Sequence, residues 1–249
     1  MMRISETVKH LIIINAIMFV GTLAIGEGVL FYDWFAMHFP KSEAFQPWQI
    51  ITHMFMHGGA MHILFNMFAL WMFGTPVEQV LGSKRFLFIY FSAGLGAVAL
   101  QTLYYYFQYI PDYNILLDSG LSSESIKQML VNNETINGLS QTQIQKLQNI
   151  FPAYNAVMVG ASGCIMGILA AFGMMNPEAK LMMIFLPIPI KAKYFIPGII
   201  ILDLISGITG QSFFSPSNTA YMAHVGGALT GFITMWYWKK NQFNNNRWD

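Results

Sequence analysis

Six stretches of this chain are apolar over the length that a helix needs to cross a bilayer, about 20 residues. They cover His10–Leu30, Ala60–Leu81, Phe86–Phe107, Val157–Met175, Tyr194–Gly210 and Ala220–Trp238. The runs are continuous and do not alternate, so they predict helices and not barrel strands. Composition agrees with this. Of the 249 residues, 55% are hydrophobic and 10% charged, where a soluble domain carries about 25% charged residues. The expectation is an all-α, polytopic membrane protein with six transmembrane helices, forming one domain over residues 1–249. A net charge of +1 gives no basis for nucleic-acid binding. The one cysteine, Cys164, has no internal partner for a disulfide. The charged start "MMRISETVKH" and the apolar run after it read as a first span, not as a cleaved signal, because so many apolar segments follow.

Six spans put both termini on one side. With the termini and the second and fourth loops in the cytoplasm, that side holds ten of the thirteen Lys and Arg residues. Lys41, Lys127 and Lys146 lie opposite. The positive-inside rule then favours cytoplasmic termini, with 239–249 as a polar cytoplasmic tail. The Asn-rich tail and the lack of sorting signals fit a bacterial inner membrane. The first loop, Phe31 to Gly59, is too apolar for a solvated linker. Its Trp and Tyr residues suit segments lying in the membrane interface. The third loop, residues 110–155, is polar. Its stretches "SSESIKQMLV" and "SQTQIQKLQNIF" carry apolar residues at helical spacing, and Ser140 with Gln143 fits a capping box. We expect a helical insertion there, on the outer face, that restricts access or recruits substrate. "FLPIPIKAK", Phe185 to Lys193, has prolines spaced to forbid a regular helix and reads as an interfacial cytoplasmic loop.

Three polar constellations interrupt the apolar runs. Ser162 sits in "GASG" at the start of the fourth span, between Gly160 and Gly163. By itself such a serine is as much at home in close helix packing. His224 lies near the outer end of the sixth span, one turn from Gly227 and on the face that Gly227 shares with Gly231. That G-x-x-x-G face lets a partner helix approach closely, and "GASG" supplies small residues at matching depth. His62 and Asn66, four apart on the second span, can donate two hydrogen bonds to one point, as an anionic acyl-transfer intermediate requires. His53, His57 and His62 also raise metal binding. However, Gly58 and Gly59 break the helix between them, and no nearby acid or second cysteine completes a ligand set.

Taken together, these residues resemble the rhomboid family of intramembrane serine proteases. The resemblance rests on "HGGAMHILFNMFALWMFG", "GASG" at 160–163, "AHVGGALTG" at 223–231, "VEQVLGSKRFLFIY" after the second span and "PWQ" in the first loop. It implies a rhomboid-like bundle and a Ser–His dyad without a third acidic member. Ser162 would be the nucleophile and His224 the general base, with the Ser162 backbone N–H, His62 and Asn66 as the oxyanion hole. Gly160, Gly163, Gly227 and Gly231 would pack the helices. The implied substrates are membrane proteins, cleaved within a transmembrane helix that enters from the bilayer. Neither a cofactor nor a metal is called for. Phe213 and Phe214 are candidate gate residues over the site. Asp203, in the fifth span, reads as too deep to orient His224 and is assigned to packing or gating. Two positions depart from the family pattern: Met166 replaces a tyrosine that stacks on the histidine, and Gln49 replaces an arginine after the loop tryptophan. The alternative is a catalytically silent rhomboid-like binder of membrane proteins.

Overall fold

The computed structural model describes residues 3–183, 186–213 and 219–245. Helices carry the apolar runs. α1 (Glu6–Ala24) stops short of the expected Leu30, because Gly26, Glu27 and Gly28 all take positive φ and no right-handed helix continues through such a run. A short α2 (Val29–Phe35), the two-residue β1 (Met37–His38) and α3 (Gln49–Thr52) make up the first loop. The second span is unbroken over Ala60–Leu81. Within it, α4 (Ala60–Ala69) passes through a π turn at Leu70–Gly74 into α5 (Thr75–Leu81).

Glu78 of α5 fastens the start of α1. Its carboxylate accepts hydrogen bonds from the Thr7 and Val8 backbone N–H groups and from the Ser5 and Ser83 hydroxyls. The first amides of a helix have no intrahelical acceptor, and they carry the positive end of its dipole. A carboxylate is the natural cap for both reasons.

α6 (Ser83–Asp118) is 36 residues long, about 54 Å at 1.5 Å per residue. The third span therefore does not end at Phe107 as the hydropathy suggested. It continues through Pro111 and well beyond a hydrocarbon core of about 30 Å. The extension is held because Tyr109 and Leu116 are buried against α7 (Ser123–Asn132) and α8 (Gln141–Tyr154). Those helices contribute Ile126, Met129 and Leu130, and Leu147, Ile150 and Tyr154, at helical spacing. The capping box expected at Ser140 and Gln143 forms at the start of α8.

The fourth span is shorter than expected. Val157–Met158 is extended as β2 and pairs antiparallel with β1. The helix α9 begins only at Ser162 and ends at Met175. Fourteen residues rise about 21 Å, less than a hydrocarbon core of about 30 Å. Within "FLPIPIKAK", Phe185 lies outside the described residues and Leu186–Lys191 form β4, which pairs antiparallel with β3 (Lys180–Met183), where prolines are tolerated on an edge strand. α10 (Ala192–Thr209) and α11 (Tyr221–Asn245) complete the bundle.

α6, α9 and α11 meet backbone to backbone. A Cβ on Gly227 would lie 2.0 Å from the Gly163 carbonyl oxygen, and one on Gly231 would lie 2.3 Å from that of Gly167. A Cβ on Gly226 would stand 2.4 Å from the Gly96 carbonyl. Gly96 of α6 faces Thr230, while Gln101 further along α6 bonds to Ala223. The two helices are therefore antiparallel. It follows that the α6 extension, with α7 and α8, rises on the side where α11 begins.

Candidate active site

Three helices each bring one polar side chain to a common point. Ser162 is the first residue of α9, so its N–H is one of the four amides that a helix leaves free. His224 stands one turn into α11. The Gly163–Gly227 contact lets these helices touch, and it places Ser162 Oγ 2.9 Å from His224 Nε2. On the other side of the ring, His224 Nδ1 lies 2.7 Å from Asp203 Oδ2, on α10. Asp203 is fully buried, while the His224 side chain keeps 13% exposure.

The Asp203 contact corrects the sequence reading, which set that residue too deep. His224, one turn into α11, reaches Asp203 on α10 directly. A lone carboxylate within an apolar span was the available signal, because such groups are costly there and mark function by default.

His62 and Asn66 line the approach to Ser162. The Gly58 N–H donates to His62 Nδ1 at 3.3 Å. That bond leaves Nε2 as the protonated, donating nitrogen of the neutral ring. Asn66 Nδ2 is buried and has no hydrogen-bond partner among the described residues. Both donors point at Gly160: a Cβ built there would lie 2.8 Å from His62 Nε2 and 3.6 Å from Asn66 Nδ2. Gly160 has φ +128 and its N–H donates to the His53 carbonyl at 2.9 Å. The expectation that Gly160 packs helices is therefore corrected. It precedes α9, and its missing side chain keeps open the space in front of two donors. Gly163, Gly227 and Gly231 are the residues in the helix seam.

His57 packs beside His62, with ring centroids 5.0 Å apart. Among the described residues no three His, Cys, Asp or Glu side chains come together as a metal ligand set. Phe213 is 54% exposed, and Phe214 lies outside the described residues. Met166 is buried in the core. Gln49 is fully buried, and all four valences of its amide are used. Its oxygen accepts from the Gln46 and His38 N–H groups, and its nitrogen donates to the Asp33 and Ala44 carbonyls. A neutral amide thus ties the first loop together.

The Rhomboid domain family matches residues 44–123 and 135–241, most of the chain and every residue of this site. The chain belongs to the rhomboid family. It is an integral membrane protein, all-α and polytopic. Its relatives include the mitochondrial presenilin-associated rhomboid-like protein of Rattus norvegicus, 28% identical over 184 residues, or 74% of this chain and 35% of that protein. The mitochondrial Rhomboid protein 1 of Saccharomyces cerevisiae is 24% identical over 191 residues, or 77% of this chain and 42% of that one. Rhomboid protease GluP of Bacillus subtilis is 47% identical over 53 residues, or 21% of this chain and 10% of that one. The aligned region spans well under half the length of these relatives, which are larger proteins.

Proposed function

We propose that this rhomboid is an intramembrane serine endopeptidase that cuts transmembrane segments of other membrane proteins. The observation that carries the reading is the 2.9 Å contact between Ser162 Oγ and His224 Nε2, beside unused donors on His62 and Asn66. Names of relatives that include a rhomboid protease point the same way.

In this reading Ser162 Oγ attacks the scissile carbonyl carbon and gives its proton to His224 Nε2. The carbonyl oxygen becomes an oxyanion. It accepts hydrogen bonds from the Ser162 N–H, His62 Nε2 and Asn66 Nδ2, which require no reorganisation as charge develops. The start of α9 adds the positive end of a helix dipole. His224 then protonates the leaving amine as the C–N bond breaks, leaving an acyl-enzyme. Water, activated by the same imidazole, hydrolyses the ester and restores the serine. A helical peptide bond is sheltered by its neighbours, so the substrate must unwind locally before it reaches Ser162. Helix-breaking or small residues near the cut make that easier. Phe213 is taken as a gate residue, and the termini face the cytoplasm of a bacterial inner membrane.

Labelling with a fluorescent fluorophosphonate tests the nucleophile. Wild-type protein in detergent becomes fluorescent, while Ser162→Ala and His224→Ala do not. A folded wild type that stays dark rejects the protease and favours the silent binder. Labelling that survives Ser162→Ala shows that another residue reacts. Cleavage of a transmembrane reporter by a Phe213→Ser, Phe214→Ser variant forms the second arm. An unchanged rate removes the gate.

A further inference from the structure

We propose that Asp203 is a positioning residue that fixes the tautomer and orientation of His224, making the machinery of this chain a Ser–His–Asp triad. The inference deepens the protease reading and rests on it. Asp203 Oδ2 stands 2.7 Å from His224 Nδ1, on the far side of the ring from Ser162. The three residues come from three helices, α9, α10 and α11, so no local turn geometry brings them together. Asp203 is 0% exposed in an apolar helix. A carboxyl group there is costly to bury unless it does something that an apolar residue would not.

A neutral imidazole carries one proton, and its place decides whether the ring can act as a base. An acceptor oxygen at Nδ1 draws the proton to that nitrogen. Nε2 then has its lone pair directed at the Ser162 hydroxyl. As Oγ bonds to the carbonyl carbon, its proton moves to Nε2, and the ring becomes an imidazolium facing Asp203. The same proton leaves with the amine nitrogen when the C–N bond breaks. Asp203 takes up no proton at any step. Its role also answers the Met166 departure. A methionine has neither the ring nor the hydroxyl with which a tyrosine would hold the imidazole, and the carboxyl group supplies that hold from another helix.

The order of two variants tests this. Asp203→Asn keeps the shape of the side chain but can turn an NH2 donor toward Nδ1, which drives the ring proton to Nε2 and blocks the base. Asp203→Ala removes the group and leaves both tautomers open. With a transmembrane reporter substrate, kcat of Asp203→Asn falls about a hundredfold or more. KM stays within about twofold, and Asn is at least as impaired as Ala. A merely structural aspartate gives the reverse order, with the isosteric Asn near wild type and Ala the worse. Retention of kcat within about threefold in Asp203→Asn overturns the proposal. Histidine-selective 15N spectra in a Ser162→Ala background read the tautomer without any turnover. The proposal expects an Nδ1–H ring at His224 with Asp203 present and loss of that state in Asp203→Asn. An Nε2–H ring with Asp203 present overturns it. Wild-type protein that never labels with fluorophosphonate overturns the protease reading instead, so the two failures are told apart.

Discussion

Gly160 combines a φ of +128 with a Cα hydrogen directed at the His62 and Asn66 donors. Either property would select glycine, and together they leave no alternative at that position. Left-handed backbone strain of this kind costs a side chain on the order of 1–3 kcal/mol. The added methyl group would also stand against the two donors proposed to hold the oxyanion. Gly160→Ala therefore lowers fluorophosphonate labelling about tenfold or more, while circular dichroism still shows a helical protein. Labelling at the wild-type rate would show that the pocket in front of Gly160 is not where charge develops. At this scale the sequence was informative wherever spacing alone sufficed. Two small-residue faces at matching depth suggested that Ser162 and His224 meet, as they do, while the roles assigned to them and to His62 and Asn66 came from the family resemblance. Gly160 was misread because "GASG" looks like one packing motif, when in fact the helix begins inside it. Gln49 was read as a departure from the family's arginine. Its four hydrogen bonds are all to backbone groups, and which carbonyls a loop presents to an amide is not written in the loop's side chains.

Helix boundaries set the depth of everything attached to them. Hydropathy located each span but not where its backbone becomes helical, because a β pair and a helix entrance can be equally apolar. The β1–β2 pair takes Val157 and Met158 out of the fourth span. The run-on of α6 past Phe107 has the opposite cause. Its continuation is too polar for lipid but keeps helical spacing, and its burial depends on two helices that come later in the chain. The tie between α5 and α1 belongs to this scale as well. Glu78 gathers hydrogen bonds from Ser5, Thr7, Val8 and Ser83, and Glu78→Ala leaves those donors without an acceptor. The expected cost is roughly 2–4 kcal/mol, seen as a lower midpoint of thermal unfolding in detergent. A midpoint equal to wild type would show that water replaces the carboxylate at no cost.

The whole molecule is sided. Because α6 and α11 run antiparallel, the polar α7–α8 module and the Ser162–His224 pair lie toward the same membrane face. The Lys and Arg bias is the ground for proposing cytoplasmic termini. Cys164 is buried, so single introduced cysteines report sidedness cleanly. Asn133→Cys reacts with an impermeant maleimide in intact cells, and Lys240→Cys reacts only after lysis. The reverse pattern would invert the orientation. The helical, polytopic character was readable from the apolar runs, and four of the described helices are long and apolar enough to cross a membrane. A last consequence follows from the seam of Gly96, Gly163, Gly167, Gly226, Gly227 and Gly231. Glycine has no rotamers to lose, so closing this seam carries no side-chain entropy cost. It also has no rotamers to exchange, so the interface offers no repacked substate as temperature rises. The approach of α9 to α11 at Gly163 and Gly227 is then set by main-chain atoms, and a disturbance there breaks the spacing outright instead of loosening it by degrees.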